Sequence, residues 1–150
     1  MKIFDENLIE MGHYALDKKS CLYEMAELLE KRQIISSADD FFDVIMEREK
    51  LMSTGIGRKV AIPHARTEVA LKLKIAVYLL DNELEYGAID GESVKIIFMV
   101  AVPDSMKEIY MKVLSAISNF FRNEEKRQEI LNCTSLEEMC KILKGIENEV

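Results

Sequence analysis

Two apolar runs, Ile75-Ala76-Val77-Tyr78-Leu79-Leu80 and Val94-Lys95-Ile96-Ile97-Phe98-Met99-Val100-Ala101-Val102, constrain the fold of this chain more than any other feature. Both are rich in β-branched residues and nearly continuous in apolar character, the pattern of central strands covered on both faces. Such strands need a layer on each side. The remaining sequence offers helices for those layers, so the chain reads as α/β, a mixed β-sheet flanked by α-helices. The strand order is not legible.

The helical readings are specific. Residues 18–31 put Leu22, Met25, Leu28 and Leu29 on one side at helical spacing. Ser36-Ser37-Ala38-Asp39-Asp40 offers caps and early acidic residues for a second helix that carries Phe41, Val44 and Ile45 and ends near Met52. Gly55 and Gly57 then make a turn, Val60-Ala61-Ile62 a short strand stopped by Pro63, and His64 a loop. Ser105-Met106-Lys107-Glu108 and Ser135-Leu136-Glu137-Glu138 are capping boxes. The first opens a long helix through Ile109, Tyr110, Val113, Leu114, Ile117 and Phe121. The second opens a short one with Leu136, Met139, Cys140 and Leu143 facing inward and Gly145 as its stop.

Length and charge narrow the class. At 150 residues with 49% hydrophobic residues, the chain has the size of one domain, residues 1–150, with a sizeable core. No apolar run approaches the ~18 residues of a membrane span, and the N-terminus lacks a signal-peptide core, so a cytoplasmic protein without membrane insertion is expected. A net charge of −7 argues against a nucleic-acid partner, which is held by clustered Lys and Arg. Cys21, Cys133 and Cys140 form no metal knuckle and read as reduced core thiols. The two histidines, His13 and His64, are too far apart in sequence for a helical zinc pair, and no metal is expected.

His64 is the candidate for chemistry. An imidazole with an ordinary pKa of ~6.5 is an uncharged nucleophile near neutral pH, and Pro63 fixes the backbone that enters it. Nearby in sequence stand Arg66, Arg48 at the end of the second helix, and Ser53 and Thr54 beside the glycine turn. Guanidinium groups pair with the peripheral oxygens of a phosphoryl group, and hydroxyls and exposed amides add donors. Taken singly, each has a plainer reading: Arg48-Glu49 as a solvated helix face, Arg66 as a loop residue, Ser53-Thr54 as a turn, His64 as a structural histidine. His13 is tied to nothing and reads as a surface or turn residue.

Glu49, six residues, Ile56-Gly57, two residues, then Val60-Ala61-Ile62-Pro63-His64-Ala65 resembles the signature of the fructose/mannitol-type enzyme IIA domains of the bacterial phosphotransferase system. The resemblance runs over about residues 5–144, and the Asp90-Gly91 turn before the Val94–Val102 strand and Pro103 after it strengthen it. It implies the mannitol-type enzyme IIA fold. It also implies that His64 accepts a phosphoryl group from the carrier protein HPr and passes it to a cysteine of enzyme IIB, with membrane enzyme IIC engaged only indirectly. Arg48, Ser53, Thr54 and Arg66 fall where the family supports the phosphoryl group, and no cofactor is implied. One position departs: many members carry a second histidine at the start of the helix after the last central strand, and here that place holds Tyr110. Tyrosine stays neutral at pH 7 but can donate one hydrogen bond. Galactitol-type proteins resemble the chain in lacking that histidine. The nitrogen-type branch implies an alternative role, regulation of a partner by phosphorylation state.

Overall fold

The computed structural model describes residues 2–150. A six-stranded mixed sheet forms the middle layer, in the order β1 (Phe4–His13), β5 (Lys74–Leu84), β6 (Val94–Val102), β3 (Val60–Ala61), β2 (Gly55–Gly57), with β4 (His64–Arg66) also paired to β6. β1 runs parallel to β5, β5 antiparallel to β6, and β3 and β4 parallel to β6. The expected central strands are thus β5 and β6, each flanked on both sides.

Burial along β6 shows the two-sided pattern. Ile96, Phe98, Val100 and Val102 join one core and Ile97, Met99 and Ala101 the other, all at 0% exposure. Against the second core pack α1 (Lys18–Lys31) and α2 (Ala38–Leu51), through Cys21, Leu22, Met25, Leu29, Phe41 and Ile45. Against the first pack α3 (Lys107–Arg122), α4 (Glu124–Leu131) and α5 (Leu136–Glu147). Asp17 caps α1, Ser37 caps α2 and Ser135 caps α5, each accepting a backbone N–H in the first turn.

Several expectations are corrected. β1 pairs along β5 where no strand was expected, and the glycine segment is itself a strand, β2, in an antiparallel hairpin with β3. That hairpin turns through Arg58 and Lys59, both at positive φ, as a two-residue hairpin loop requires. His64 is not in a loop: β3 and β4 pair with β6 in one continuous register, Val60 with Ile96 and His64 with Val100, interrupted where Pro63 has no N–H to give the ladder. The Ser105 box does not form, since α3 begins after Met106 without a side-chain cap. α5 runs through Gly145, and Leu136 is 39% exposed instead of inward. Cys21 and Cys133 are buried thiols while Cys140 is half-buried, and all are free. No helix among the described residues is long and apolar enough to cross a membrane.

Candidate functional site

His64 opens β4 at the end of the interrupted strand. Alternation along β3–β4 sends Ala61 and Ala65 into the α1/α2 core, and Val60 and Ile62 into the opposite one, so His64 shares the α3 side of the sheet. There its ring lies 5.7 Å from that of Tyr110, in the first turn of α3, at an interplanar angle of 47°. The sheet and the helix thus bring together two residues 46 positions apart.

The orientation of the imidazole is set by the backbone. Nδ1 stands 2.7 Å from the Ile62 carbonyl oxygen. A carbonyl can only accept, so Nδ1 carries the proton and Nε2 keeps its lone pair. Ile62 in turn donates its own N–H to the Thr54 carbonyl at 2.9 Å. Burial holds the His64 pKa below its ordinary value; the Ile62 carbonyl opposes this, the Arg48 charge adds to it, and the Glu49 charge opposes it. The net result is a neutral ring with a free Nε2 near neutral pH.

The supporting residues divide. Arg48 ends α2, and its Nη1 donates to the Met52 carbonyl at 2.7 Å, which holds the guanidinium close enough to His64 to act on its charge. Arg66 lies two residues beyond His64 on the same side of β4, half anchored by a 2.8 Å bond from Nη1 to the Asp104 carbonyl. Ser53 is half-buried and its Oγ accepts from Gly55 N at 3.0 Å. Thr54 differs from the expectation of a free donor. It is 3% exposed, and its hydroxyl is committed to the Glu49 carboxylate and to Tyr86 Oη at 2.9 Å. Its contribution to His64 comes through its carbonyl.

Beneath this turn lies a group that sequence reasoning left out. Glu49 and Thr54 are the buried polar residues of the core among those described. The Glu49 carboxylate accepts from Thr54 N at 3.2 Å and from Thr54 Oγ1, and pairs with Lys18 Nζ at 2.9 Å. The Lys18 ammonium also stands 4.1 Å above the Tyr86 ring. Burial pushes the Tyr86 hydroxyl well above the ordinary tyrosine range, so it stays protonated. Gly55 is required here by close approach, because a Cβ would meet Ala88 Cα at 2.9 Å. Glu49 was legible only as the first residue of the signature, and Lys18, 31 positions earlier, carried no signal.

His13, by contrast, ends β1. Its Nε2 lies 2.8 Å from Glu24 Oε2 without hydrogen-bond alignment, and its ring packs 4.6 Å from Tyr78. No group of three or more His, Cys, Asp or Glu side chains among the described residues could hold a metal ion.

Known proteins resemble the chain in sequence and fold. The chain is 29% identical over 131 residues to a nitrogen regulatory protein of Pseudomonas aeruginosa, covering 87% of this chain and 85% of that one. It is 27% identical over 134 residues to the fructose-specific EIIABC component of Bacillus subtilis, covering 89% of this chain but spanning only 21% of that relative's length. The nitrogen regulatory protein IIA-Ntr of Neisseria meningitidis superposes with a TM-score of 0.89 at 32% identity, over 94% of this chain and 96% of that one. Mannitol enzyme IIA of Escherichia coli, solved in complex with phosphorylated enzyme IIB, shares the fold at a TM-score of 0.80 and 21% identity, over 95% of this chain and 99% of that one. The EIIA 2 family of the phosphoenolpyruvate-dependent sugar phosphotransferase system matches residues 2–146, and the chain belongs to that family.

Proposed function

We propose that this protein is a phosphotransferase component that carries a phosphoryl group on Nε2 of His64, taken from the phosphohistidine of HPr. The observation that carries this reading is the 2.7 Å bond from Nδ1 to the Ile62 carbonyl, which leaves Nε2 as the one nitrogen able to attack. In the transfer the donor N–P bond breaks and its electron pair returns to the donor ring, while the Nε2 lone pair forms the new N–P bond. The Nδ1 proton stays in place throughout. As bonding at Nε2 draws charge from the His64 ring, the Nδ1–H bond to the carbonyl strengthens, and Arg48 is the nearby cation for the phosphoryl oxygens.

Transfer between proteins also needs a surface that a partner can cover. Exposed apolar side chains stand on the segments that carry the site: Leu51 and Met52 beside Arg48 and Ser53, Ile56 after Gly55, and Met111 beside Tyr110. The onward acceptor is a cysteine of enzyme IIB, in keeping with the mannitol complex, in a cytoplasmic sugar-uptake relay. The likeness to nitrogen regulatory proteins, which extends to 32% identity, supports a second reading in which phosphorylation of His64 governs binding to a regulatory partner.

Incubation with phosphoenolpyruvate, enzyme I and HPr is expected to give an acid-labile phosphohistidine on His64. An unlabelled wild-type protein beside a labelled control IIA removes the carrier reading. Rapid discharge onto a IIB cysteine selects the transport role, and a stable phosphoprotein that ignores IIB selects the regulatory one.

A further inference from the structure

An unbroken set of contacts leads from α1 to the nucleophile through the sheet. Lys18 Nζ meets Glu49 at 2.9 Å; Glu49 accepts from Thr54 N at 3.2 Å and from Thr54 Oγ1; the Thr54 carbonyl accepts Ile62 N at 2.9 Å; the Ile62 carbonyl accepts His64 Nδ1 at 2.7 Å. Lys18, Glu49 and Tyr86 lie on the α1/α2 side, His64 on the α3 side. The carbonyl that selects the imidazole tautomer therefore hangs from a turn whose side-chain anchor is a buried carboxylate, and the cation paired with that carboxylate is Lys18.

The position of Lys18 argues that it is there for Glu49. It is the first residue of α1, where the helix dipole favours acidic residues and disfavours a cation, and the first turn of α1 contains no acidic residue. A lysine that weakens its own helix end while meeting a carboxylate 3% exposed is a local rule broken at a site. The Tyr86 ring below its ammonium and the Tyr86 hydroxyl on Thr54 close the arrangement from the other side.

We propose that Lys18 is a positioning residue for His64: through Glu49 and Thr54 it fixes the Ile62 carbonyl that holds Nδ1 protonated and leaves Nε2 to react. This rests on His64 being the phosphoryl acceptor, and the two are tested apart. Imidazole 15N chemical shifts of unphosphorylated protein report the tautomer with no donor present, and labelling by phospho-HPr reports transfer. Wild type is expected to show a uniform Nδ1–H tautomer. Lys18→Met is expected to show a mixture of tautomers and a labelling rate at saturating phospho-HPr about tenfold lower, with KM unchanged because no docking group is touched. Lys18→Arg, which keeps the cation, is expected to restore both readouts.

A Lys18→Met protein with the wild-type tautomer and saturating rate overturns the proposal, as does a loss that Lys18→Arg fails to restore. If Lys18→Met does not fold, Glu49→Gln, which keeps the side-chain shape and removes the charge, takes its place: wild-type shifts and rate in that variant overturn the proposal equally. If wild type is not labelled while the tautomer still follows Lys18, the carrier reading falls and the positioning stands.

Discussion

The chain has two histidines, and their surroundings are alike enough for the differences to be instructive. Each sits at one end of a strand, half-buried, with a tyrosine ring beside it: His64 by Tyr110 at 5.7 Å and His13 by Tyr78 at 4.6 Å. Each also has a carboxylate on the α1/α2 side of the sheet. At His64 that carboxylate, Glu49, is 3% exposed and turned toward Lys18 and Thr54, so it acts on the ring from behind. At His13 the carboxylate is Glu24, 45% exposed and 2.8 Å from Nε2 itself. One ring presents a free lone pair beside a guanidinium; the other presents a nitrogen covered by an anion that would repel a phosphoryl group. Residue type does not separate them, but the atom each carboxylate faces does.

Replacing each histidine in turn gives the largest expected effect. His64→Ala abolishes the acid-labile label, while His13→Ala retains it within about twofold of wild type, since no group at His13 touches the transfer. Label on both residues, or on His13 alone, would mean that the carboxylate beside each ring does not decide which histidine reacts.

Removing the two carboxylates sharpens it. Glu49→Ala leaves Lys18 without its partner and the Thr54 N–H unmet in a buried site, with Tyr86 Oη as the one partner left to the Thr54 hydroxyl, and we expect a loss of about 2–4 kcal/mol in urea unfolding. Glu24→Ala removes a partly exposed contact, for which under about 1 kcal/mol is expected. Equal losses would mean that Glu49 is no more embedded in the fold than Glu24.

The cation comes next. Arg48→Gln keeps a side chain able to reach the Met52 carbonyl but removes the charge near His64, and a fall of about tenfold in labelling rate is expected with little change in stability. A rate unchanged by this variant would shift the role to Arg66, two residues beyond His64 on β4.

How much of this was legible in the sequence follows from where the signals lie. β5 and β6 announced themselves because a strand covered on both faces is apolar at every position. β1 did not: Phe4-Asp5-Glu6-Asn7-Leu8-Ile9 is an edge strand whose register shifts between Phe4 and Ile9, and the irregularity breaks the alternation that would have marked it. α4 was hidden for the opposite reason, since Glu124–Leu131 buries only Ile130 and Leu131 and draws its start from the Asn123 cap. At the site, the local motif located His64, Arg48 and the Ser53-Thr54 turn. It could not show that the Thr54 hydroxyl faces inward, because a threonine in a turn reads as solvated. Glu49 follows Arg48 on what looks like a polar helix face, and its partner lies on a different helix.

A smaller effect concerns charge. Because burial holds the His64 pKa below 6.5, the unfolded chain takes up a proton at His64 before the folded one does. This group's contribution to stability is therefore complete above pH ~6.5 and declines as pH falls from there through the folded-state pKa. An NMR titration of the His64 ring is expected to show a midpoint below 6.5, and His64→Ala is expected to flatten that part of the stability curve. A midpoint above 6.5 would mean that the anions near the ring outweigh its burial.

The smallest effect probes α1, the element that serves both histidines: Lys18 at its start reaches Glu49, and Glu24 in its middle faces His13. The helix ends in a Schellman arrangement, with Ile34 N bonded to the Leu29 carbonyl and Gln33 N to the Glu30 carbonyl. The residue at the left-handed position is the exposed Gln33, at φ 62°, where a Cβ is a disadvantage. Gln33→Gly relieves that contact and should stabilise the protein by about 0.5–1 kcal/mol, raising the melting temperature by ~2–4 °C. Because it leaves Lys18 and Glu24 in place, labelling of His64 should not change. A changed rate would show that the far end of α1, and not only the Lys18 contact, governs the nucleophile.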